Sequence, residues 1–394
     1  MQAVTWQGRR SVEVVETPDP VIVEPTDAIV SITSTAICGS DLHLYELMGP
    51  FLDKGDVLGH EGMGIVTAVG AEVTKVGVGD RVVISCQVAC GHCFMCERGL
   101  QSQCETTQNR DHGTGATLFG YTELYGDLPG VQAEAVRVPL ADYTLIPVGR
   151  DLPDERYLFL SDILPTAWQG VRYADIPDGG TLVVLGLGPV GQLAARIAKH
   201  RGHQVLAVDP VPERRAMAER HGIDAFDLSD DVLDVFHDAV GVRGPDSVLD
   251  AVGTEAHGDP VAAFAQASGA VLPDPVAKKV LTTVGVDRMA AQHFAYDLVR
   301  RGGTVSLTGV YTGAADPMPW LKVWDKELTI RCGPVNVRRW LAALLPLVED
   351  EADPLGLDDF VTHRGSLEDA PELYELFQKK EDGCIKVVLS PDRG

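Results

Sequence analysis

The chain has 394 residues, of which 45% are apolar and 23% charged, as in a globular protein of roughly two or three domains. Its formal net charge of −24 argues against nucleic acid or an anionic membrane as a partner. No export signal or long apolar run is present, so we expect a reducing, cytoplasmic location, where eight cysteines are unsuited to a disulfide framework.

Short runs of β-branched residues fill about the first 150 positions and are separated by Gly, Pro and Asp. Examples are SVEVVET, DAIVSITSTAI, EGMGIVTAVG and DRVVIS. This pattern predicts an all-β domain, either a small barrel or a sandwich.

Two segments in this region carry residues that bind metals. ICGSDLH offers Cys38 as a ligand, and GHEGMG offers His60. Either residue alone is more often part of a core. Together, ahead of the cysteine-rich loop that follows, they indicate a metal centre.

That loop reads CGHCFMCERGLQSQC, and its four thiols are Cys90, Cys93, Cys96 and Cys104. Four thiolates fill the tetrahedral coordination of a structural zinc ion. A redox pair needs only one C-x-x-C at a helix N-terminus, and the common bacterial iron–sulfur run has shorter spacing followed by proline. The spacing therefore favours structural zinc. The remaining thiols, Cys86, Cys332 and Cys384, are interpreted as buried.

The sequence pattern changes near residue 161, where SDILPTAWQGVRYADI predicts a loop and then a helix. From residue 181, apolar strands such as TLVVLG and QVLAVD alternate with amphipathic helices. This alternation predicts a parallel sheet covered on both faces. The Ala-, Gly- and Pro-rich stretch 254–290 has no clear assignment, and the tail predicts helix, loop, helix and strand.

The turn after TLVVLG contains Gly186, Gly188 and Gly191 in a G-x-G-x-x-G pattern that follows a strand and opens a helix. In this context the pattern predicts a dinucleotide site with the diphosphate at the helix N-terminus. Asp209 ends the next strand, where a carboxylate binds ribose hydroxyls and favours NAD over NADP. Arg214 lies close by, and two interpretations of it stay open. It either contacts a phosphate or is a solvated residue at the start of a helix.

In this order, CGSDLH, GHEGMG, the cysteine loop, SDILPT and the glycine turn resemble the zinc-containing medium-chain dehydrogenases of the alcohol dehydrogenase superfamily. The closest resemblance is to the glutathione-independent formaldehyde dehydrogenase-like branch. It implies a GroES-like β-barrel catalytic domain at 1–164 and a Rossmann coenzyme domain, with a doubly wound parallel sheet, at 165–335. A C-terminal segment at 336–394 returns to the catalytic domain, and the cleft between the domains holds the active site.

The resemblance further implies a catalytic zinc held by Cys38, His60 and Asp162, with one coordination position open. Asp162 could instead cap the helix that follows it. With the structural zinc of the cysteine loop, this gives two zinc ions per subunit.

The resemblance also assigns supporting roles around this centre. Asp41 accepts a hydrogen bond from His60 and fixes its tautomer. Ser40 and His43 relay the alcohol proton to water. Glu61 approaches the metal or supports it from behind, and each of these residues also has a purely structural interpretation.

For the cofactor, the resemblance puts Thr166 beneath the nicotinamide and Arg214 beside the adenine. The implied NAD-binding residues are Gly186, Gly188, Pro189, Val190, Gly191, Asp209, Arg214, Thr166, Val252, Gly309 and Val310.

These features predict a zinc-dependent oxidoreductase, a homodimer or homotetramer, that transfers hydride between a small alcohol or aldehyde and NAD. The alternatives are a formaldehyde dismutase-type enzyme with tightly bound NAD and a non-catalytic protein on the same scaffold. The segment GVQAEA has Val131 and Ala135 where the branch usually has glycine and an aromatic residue. The resemblance therefore does not fix formaldehyde as the substrate.

Overall fold

Residues 1–228, 232–253, 289–311 and 318–391 are described by a computed structural model of the chain. The unassigned stretch 254–290 therefore lies outside the described residues, apart from its last two positions. Contacts divide the chain into two compact units, one formed by Met1–Pro165 with Val335–Gly394 and the other by Thr166–Pro334. Among the described residues, no helix combines the length and the hydropathy that crossing a bilayer requires.

Most of the β-strands follow the β-branched runs of the sequence, whereas β10 and β14 contain no β-branched residue. In chain order they are β1 (Gln2–Gly8), β2 (Ser11–Glu16), β3 (Ala28–Ile37), β4 (Glu61–Val69), β5 (Arg81–Ile84), β6 (Ala135–Val138), β7 (Leu145–Pro147), β8 (Thr181–Leu185), β9 (Gln204–Val208), β10 (Asp224–Phe226), β11 (Ser247–Asp250), β12 (Thr304–Leu307), β13 (Thr329–Cys332), β14 (His363–Ser366) and β15 (Val387–Ser390).

The α-helices are short in the first part of the chain and longer where they alternate with parallel strands. In chain order they are α1 (Gly39–Glu46), α2 (Phe94–Glu97), α3 (Ala141–Thr144), α4 (Asp154–Leu158), α5 (Ile163–Tyr173), α6 (Pro189–His200), α7 (Pro212–Arg220), α8 (Val232–Val240), α9 (Ala290–Leu298), α10 (Trp320–Asp325), α11 (Val337–Val348) and α12 (Ala370–Lys379).

The main sheet of the first unit has the strand order β14-β15-β3-β4-β5-β7, and β6 also pairs with β3. Pairing is antiparallel from β15 to β7, with Val387 opposite Ile37 and Ala36 opposite Glu61. The C-terminal ends of β3 and β5 therefore lie at the same end of the sheet as the N-terminal ends of β4 and β15. Four segments that are distant in sequence meet at this end of the sheet.

The core beside this sheet contains the Val131 side chain, which is completely buried. A Cβ atom built on Gly62 would lie 2.9 Å from Val131, so the valine fills the space next to that glycine. The departure from the branch at position 131 is therefore accommodated within the core of this unit.

The second unit contains a six-stranded sheet with the order β10-β9-β8-β11-β12-β13, and its strands are all parallel. The order reverses between β8 and β11. Such a reversal opens a crevice at the carboxyl ends of the strands, where open α/β sheets bind their ligands. The glycine-rich turn follows β8 and therefore lies at this point.

The prediction that Cys332 is buried is wrong, because its side chain is exposed. Cys332 ends β13, the last strand of the parallel sheet as described, and neighbouring Arg331 is exposed as well. A strand at the edge of a sheet has a neighbouring strand on only one side, so Cys332 lacks the cover that buries most free thiols. Cys86 and Cys384 are both buried, as predicted.

Candidate active site

The first unit holds two groups of side chains suited to metal binding. We call Cys90, Cys93, Cys96 and Cys104 the loop cluster. Its sulfur atoms all lie within 4.8 Å of one another, and those of Cys93 and Cys104 are 3.9 Å apart. A tetrahedral zinc ion with Zn–S bonds of about 2.3 Å requires sulfur atoms about 3.8 Å apart. The loop cluster therefore fits structural zinc.

The chain reaches this arrangement through a tight turn at Gly91. Its φ of +79° favours glycine, and a Cβ atom there would lie 2.4 Å from the ring of Tyr143. The backbone N–H of Cys90 points at the Cys104 sulfur at 3.4 Å. Burial opposes ionisation, but this N–H and neighbouring donors, including Thr107, lower the pKa of Cys104 to about 6. These hydrogen bonds thus favour the thiolate of Cys104, which is the form that binds zinc.

We call Cys38, His60, Glu61 and Asp162 the mixed cluster, since their ligand atoms also lie within 4.8 Å of one another. Asp162 Oδ2 is 3.6 Å from Cys38 Sγ and 3.3 Å from His60 Nε2. Usual zinc bond lengths in a tetrahedron require about 3.6 Å for the S···O separation and about 3.4 Å for N···O. These three residues therefore fit a single zinc ion.

The ligand atoms of the mixed cluster come from three separate segments. Cys38 follows β3 and is the N-cap residue of α1. His60 directly precedes β4, and Asp162 lies between the 3-10 turn Phe159–Ser161 and α5. Pairing of β3 with β4 brings Cys38 and His60 together at the end of the sheet where β3 ends and β4 begins.

The electrostatic environment of the mixed cluster favours a cation. Burial and then Glu61 raise the pKa of Cys38 to about 11. Burial lowers the pKa of His60, but Asp41 and Cys38 outweigh it and raise that pKa well above its usual value. Burial is the main cause of the Cys38 shift, while the His60 shift reflects the acidic groups beside it, and a divalent cation would satisfy these groups while holding the thiolate.

Asp41 connects the segments that carry the first two ligands, and it is completely buried. Its Oδ2 accepts the backbone N–H of Cys38 at 2.9 Å, while its Oδ1 lies 3.1 Å from His60 Nδ1. Gln132 Nε2 lies 3.4 Å from Asp41 Oδ2, and its Oε1 accepts the Tyr374 hydroxyl at 2.8 Å. The imidazole is thus oriented with Nε2 toward Asp162.

Three further residues were predicted for this site, two of them on α1 and one facing a buried lysine. Ser40 and His43 lie on α1, both half-buried, and Ser40 Oγ is 3.3 Å from His60 Nε2. Glu61 is completely buried and faces Lys386, whose Nζ lies 2.8 Å from each carboxylate oxygen.

Sequence reasoning missed several residues around this cluster. Cys86 was interpreted only as a buried thiol, yet it donates to Asp162 Oδ1 at 3.7 Å, and its N–H donates to Ser161 O at 3.0 Å. Lys386 lies in the apolar run CIKVVL, where an isolated lysine is a signal for a buried, paired cation. No comparable signal marks Cys86.

In the second unit, the glycine-rich turn leads directly into α6, which begins with Pro189 and Val190. A Cβ atom at Gly191 would lie 1.8 Å from the carbonyl oxygen of Gly186, so no side chain fits there. Gly188 is the N-cap residue of this helix. The turn thus presents bare backbone at a helix N-terminus, which suits a diphosphate.

Asp209 lies beside this turn and is almost completely buried. Its Oδ2 accepts the N–H of Leu187 at 2.7 Å, and its Oδ1 accepts that of Val211 at 2.8 Å. Each oxygen retains a second lone pair with which it can accept from a ribose hydroxyl. Arg214 Nη1 is 3.6 Å from Asp209 Oδ2, so the arginine charge is partly offset by the carboxylate.

The remaining predicted cofactor residues lie on other elements of this unit. Thr166 is half-buried on α5. Val252 follows β11, and Gly309 and Val310 follow β12. The two loops touch, because a Cβ atom on Gly309 would lie 2.3 Å from the nitrogen of Gly253.

Comparison with known families gives two matches. Residues 24–148 match the alcohol dehydrogenase GroES-like domain, and residues 189–272 match the zinc-binding dehydrogenase family. These matches confirm the predicted fold class, a GroES-like β domain joined to a Rossmann parallel sheet.

Relatives of similar length match nearly the whole chain. A zinc-type alcohol dehydrogenase-like protein of Bacillus subtilis is 38% identical over 99% of this chain and 100% of its own. A formaldehyde dismutase of Pseudomonas putida is 31% identical over 99% and 97%, respectively. Among solved structures, an alcohol dehydrogenase from Thermus sp. ATN1 is 33% identical with a TM-score of 0.82, covering 99% of each chain.

Proposed function

Because the chain belongs to the zinc-type alcohol dehydrogenase family of medium-chain dehydrogenases, we propose that it transfers hydride between a small alcohol or aldehyde and NAD. Cys38, His60 and Asp162 hold the zinc ion that this reaction uses. The observation that carries the proposal is the ligand spacing, with Asp162 Oδ2 3.6 Å from Cys38 Sγ and 3.3 Å from His60 Nε2.

Three protein ligands leave one coordination position, and zinc bound there supplies the Lewis acidity that polarises a carbonyl or acidifies an alcohol. Cys38 and Asp162 together offset the charge of the divalent ion. Asp41 Oδ1 lies 3.1 Å from His60 Nδ1, and a carboxylate at this distance favours the tautomer with its proton on Nδ1, which leaves Nε2 as the ligand atom.

Ser40 and His43 carry the proton that an alcohol loses. Ser40 Oγ lies 3.3 Å from His60 Nε2, next to the proposed ligand atom. His43 follows one helical turn later on α1, and both side chains are half-buried. A proton can therefore pass from the buried cluster to solvent through a hydroxyl and an imidazole.

NAD, the proposed hydride acceptor or donor, binds with its diphosphate at the glycine-rich turn. Gly188 allows the backbone to approach the diphosphate, and Asp209 accepts from the ribose hydroxyls. The Asp209 carboxylate would repel a 2′-phosphate, and its proximity to Arg214 weakens that arginine as a phosphate partner. These contacts support NAD over NADP.

A formaldehyde dismutase-type reaction is the second candidate, and the likeness to the Pseudomonas putida dismutase favours it. Such a reaction would convert two aldehydes into one alcohol and one acid, with no net change in a tightly bound cofactor. The two candidates differ in whether turnover requires added NAD.

The test uses zinc-loaded protein and a panel of small primary alcohols and aldehydes, with NAD, with NADP and without added cofactor. We expect reduction of NAD by at least one substrate and slower reduction of NADP. Formation of alcohol and acid from aldehyde without added cofactor would support the dismutase candidate instead.

The matched variants are Cys38→Ser, which removes a proposed ligand, and Cys332→Ser, which changes an exposed thiol outside both clusters. We expect Cys38→Ser to lose turnover while remaining folded by circular dichroism, and Cys332→Ser to retain turnover. Normal turnover in Cys38→Ser would contradict the proposed metal centre.

A further inference from the structure

Lys386 is a completely buried lysine for which the proposed reaction has no role. Its Nζ lies 2.8 Å from both carboxylate oxygens of Glu61 and 3.0 Å from the backbone oxygen of Ile37. Glu61 is also completely buried. All three donors of the ammonium group are thus used, and the pair is shielded from water.

The position of Lys386 follows from strand pairing. It directly precedes β15, which pairs with the end of β3 through Val387 and Ile37. Ile37 adjoins Cys38 in the chain, and Glu61 adjoins His60. The lysine therefore contacts both segments that carry the first two ligands of the mixed cluster, although it lies 325 residues from Glu61 in sequence.

Glu61 itself is close enough to be a ligand. One of its carboxylate oxygens lies within 4.8 Å of the ligand atoms of Cys38, His60 and Asp162. A fourth protein ligand would complete the tetrahedron and leave no position for a substrate oxygen. Some feature of the protein must therefore hold this carboxylate back if the site is to remain open.

We propose that Lys386 is the positioning residue that holds Glu61 off the metal and keeps the fourth coordination position open. The proposal rests on the proposed function only in its assignment of zinc to Cys38, His60 and Asp162. The ammonium group draws both Glu61 oxygens toward itself, so zinc would have to compete with a buried positive charge for either oxygen. A charge-assisted pair shielded from water is strong enough to compete for a carboxylate.

The experiment follows access to the metal rather than turnover. The full-length protein carries cobalt(II) in the mixed cluster and zinc in the loop cluster, and azide is the probe added to the cobalt centre. In the unaltered protein, azide binds at the open position and changes the visible cobalt absorption. The variants are Lys386→Met, Lys386→Arg and the double variant Lys386→Met with Glu61→Gln.

We expect Lys386→Met to weaken azide binding by about 10–100-fold, because the released Glu61 occupies the azide position. Lys386→Arg retains the cation and should respond to azide as the unaltered protein does. The double variant removes the competing carboxylate, so its azide response should return. Arg137→Met is the matched control, because it breaks the pair with the buried Asp27 near the opposite end of β3.

An undiminished azide response in Lys386→Met would overturn the proposal. It would also be overturned if the double variant failed to regain the response or to hold cobalt, since Lys386 would then serve only to stabilise the fold. Failure of the proposed function gives a different result: the unaltered protein would bind no metal in the mixed cluster or would oxidise no alcohol, whatever residue occupies position 386.

Discussion

The loop cluster and the mixed cluster, both in the first unit, obtain their ligands in opposite ways. The loop cluster takes its four cysteines from the single segment 90–104. The mixed cluster takes Cys38, His60 and Asp162 from three segments that the sheet and its flanking turns bring together. A local loop needs its metal to hold its shape, whereas a dispersed set of ligands is held in place by the fold.

This difference implies different tasks for the metals that the two clusters would hold. A zinc ion in the loop cluster would have four thiolate ligands and no open position, so it would contribute to folding. A zinc ion in the mixed cluster would contribute less to stability, since the pairing of β3 with β4 already brings Cys38 and His60 together. Buried charged residues, namely Asp41, Glu61 and Lys386, lie around this cluster instead, and Asp41 contacts both Cys38 and His60.

Loss of a ligand from the loop cluster should have the largest effect on stability. In Cys104→Ser, we expect the free energy of unfolding to fall by about 4 kcal/mol or more, because the loop loses its metal. Cys38→Ser should change it much less. Denaturant unfolding, with zinc measured per chain, checks both variants. If the free energy of unfolding fell equally in the two variants, the loop cluster would contribute no more to stability than the mixed cluster, and the distinction between them would be wrong.

The sequence predicted the loop cluster directly, because four thiols at short spacing must meet wherever the loop folds. It also predicted the parallel sheet, since apolar strands alternate with amphipathic helices after residue 181. The local sequence pattern was sufficient in both cases, because neither prediction depends on which strands pair with each other.

Features that depend on strand order could not be predicted in this way. Asp162 was assigned only through a resemblance, and nothing in its spacing connects it with Cys38. Lys386 reaches the mixed cluster only because β15 pairs with β3. Cys332 was wrongly predicted to be buried, because the residue type does not reveal that its strand lies at an edge. Long-range pairing therefore limits what a single sequence predicts about a dispersed site.

A substitution behind the mixed cluster should have an intermediate effect. Asp41 accepts from Cys38 N–H through one oxygen and lies 3.1 Å from His60 Nδ1 through the other. An asparagine has only one acceptor oxygen, so Asp41→Asn must lose one of these contacts. We expect zinc affinity of the mixed cluster to fall about 10–100-fold, with the loop cluster unchanged.

Chelator competition measures this loss, since the two zinc ions should leave at different chelator concentrations. Asp142→Asn is the control, because that carboxylate accepts from the backbone of Thr74 and Lys75 at the surface of the same unit. A parallel loss of both zinc ions in Asp41→Asn would mean that Asp41 supports the unit as a whole.

The smallest effect should come from Cys86, which contacts the proposed ligand Asp162 without belonging to the mixed cluster. Its thiol donates to Asp162 Oδ1 at 3.7 Å, which leaves Oδ2 facing Cys38 and His60. A thiol is a weak donor, so Cys86→Ala should reduce zinc affinity by only about two- to five-fold. The same chelator competition measures this change against Cys384→Ala, which removes another buried thiol.

Cys86→Ser separates hydrogen bonding from packing, because a hydroxyl retains the donor in a smaller side chain. If orientation of Asp162 is the role of Cys86, the serine variant should bind zinc more tightly than the alanine variant. Equal affinities in the two variants would mean that Cys86 only fills space. In that case the fold would orient Asp162 through the backbone contact between Cys86 and Ser161 alone. The placement of the strands would then also determine the direction in which the Asp162 side chain points within the mixed cluster.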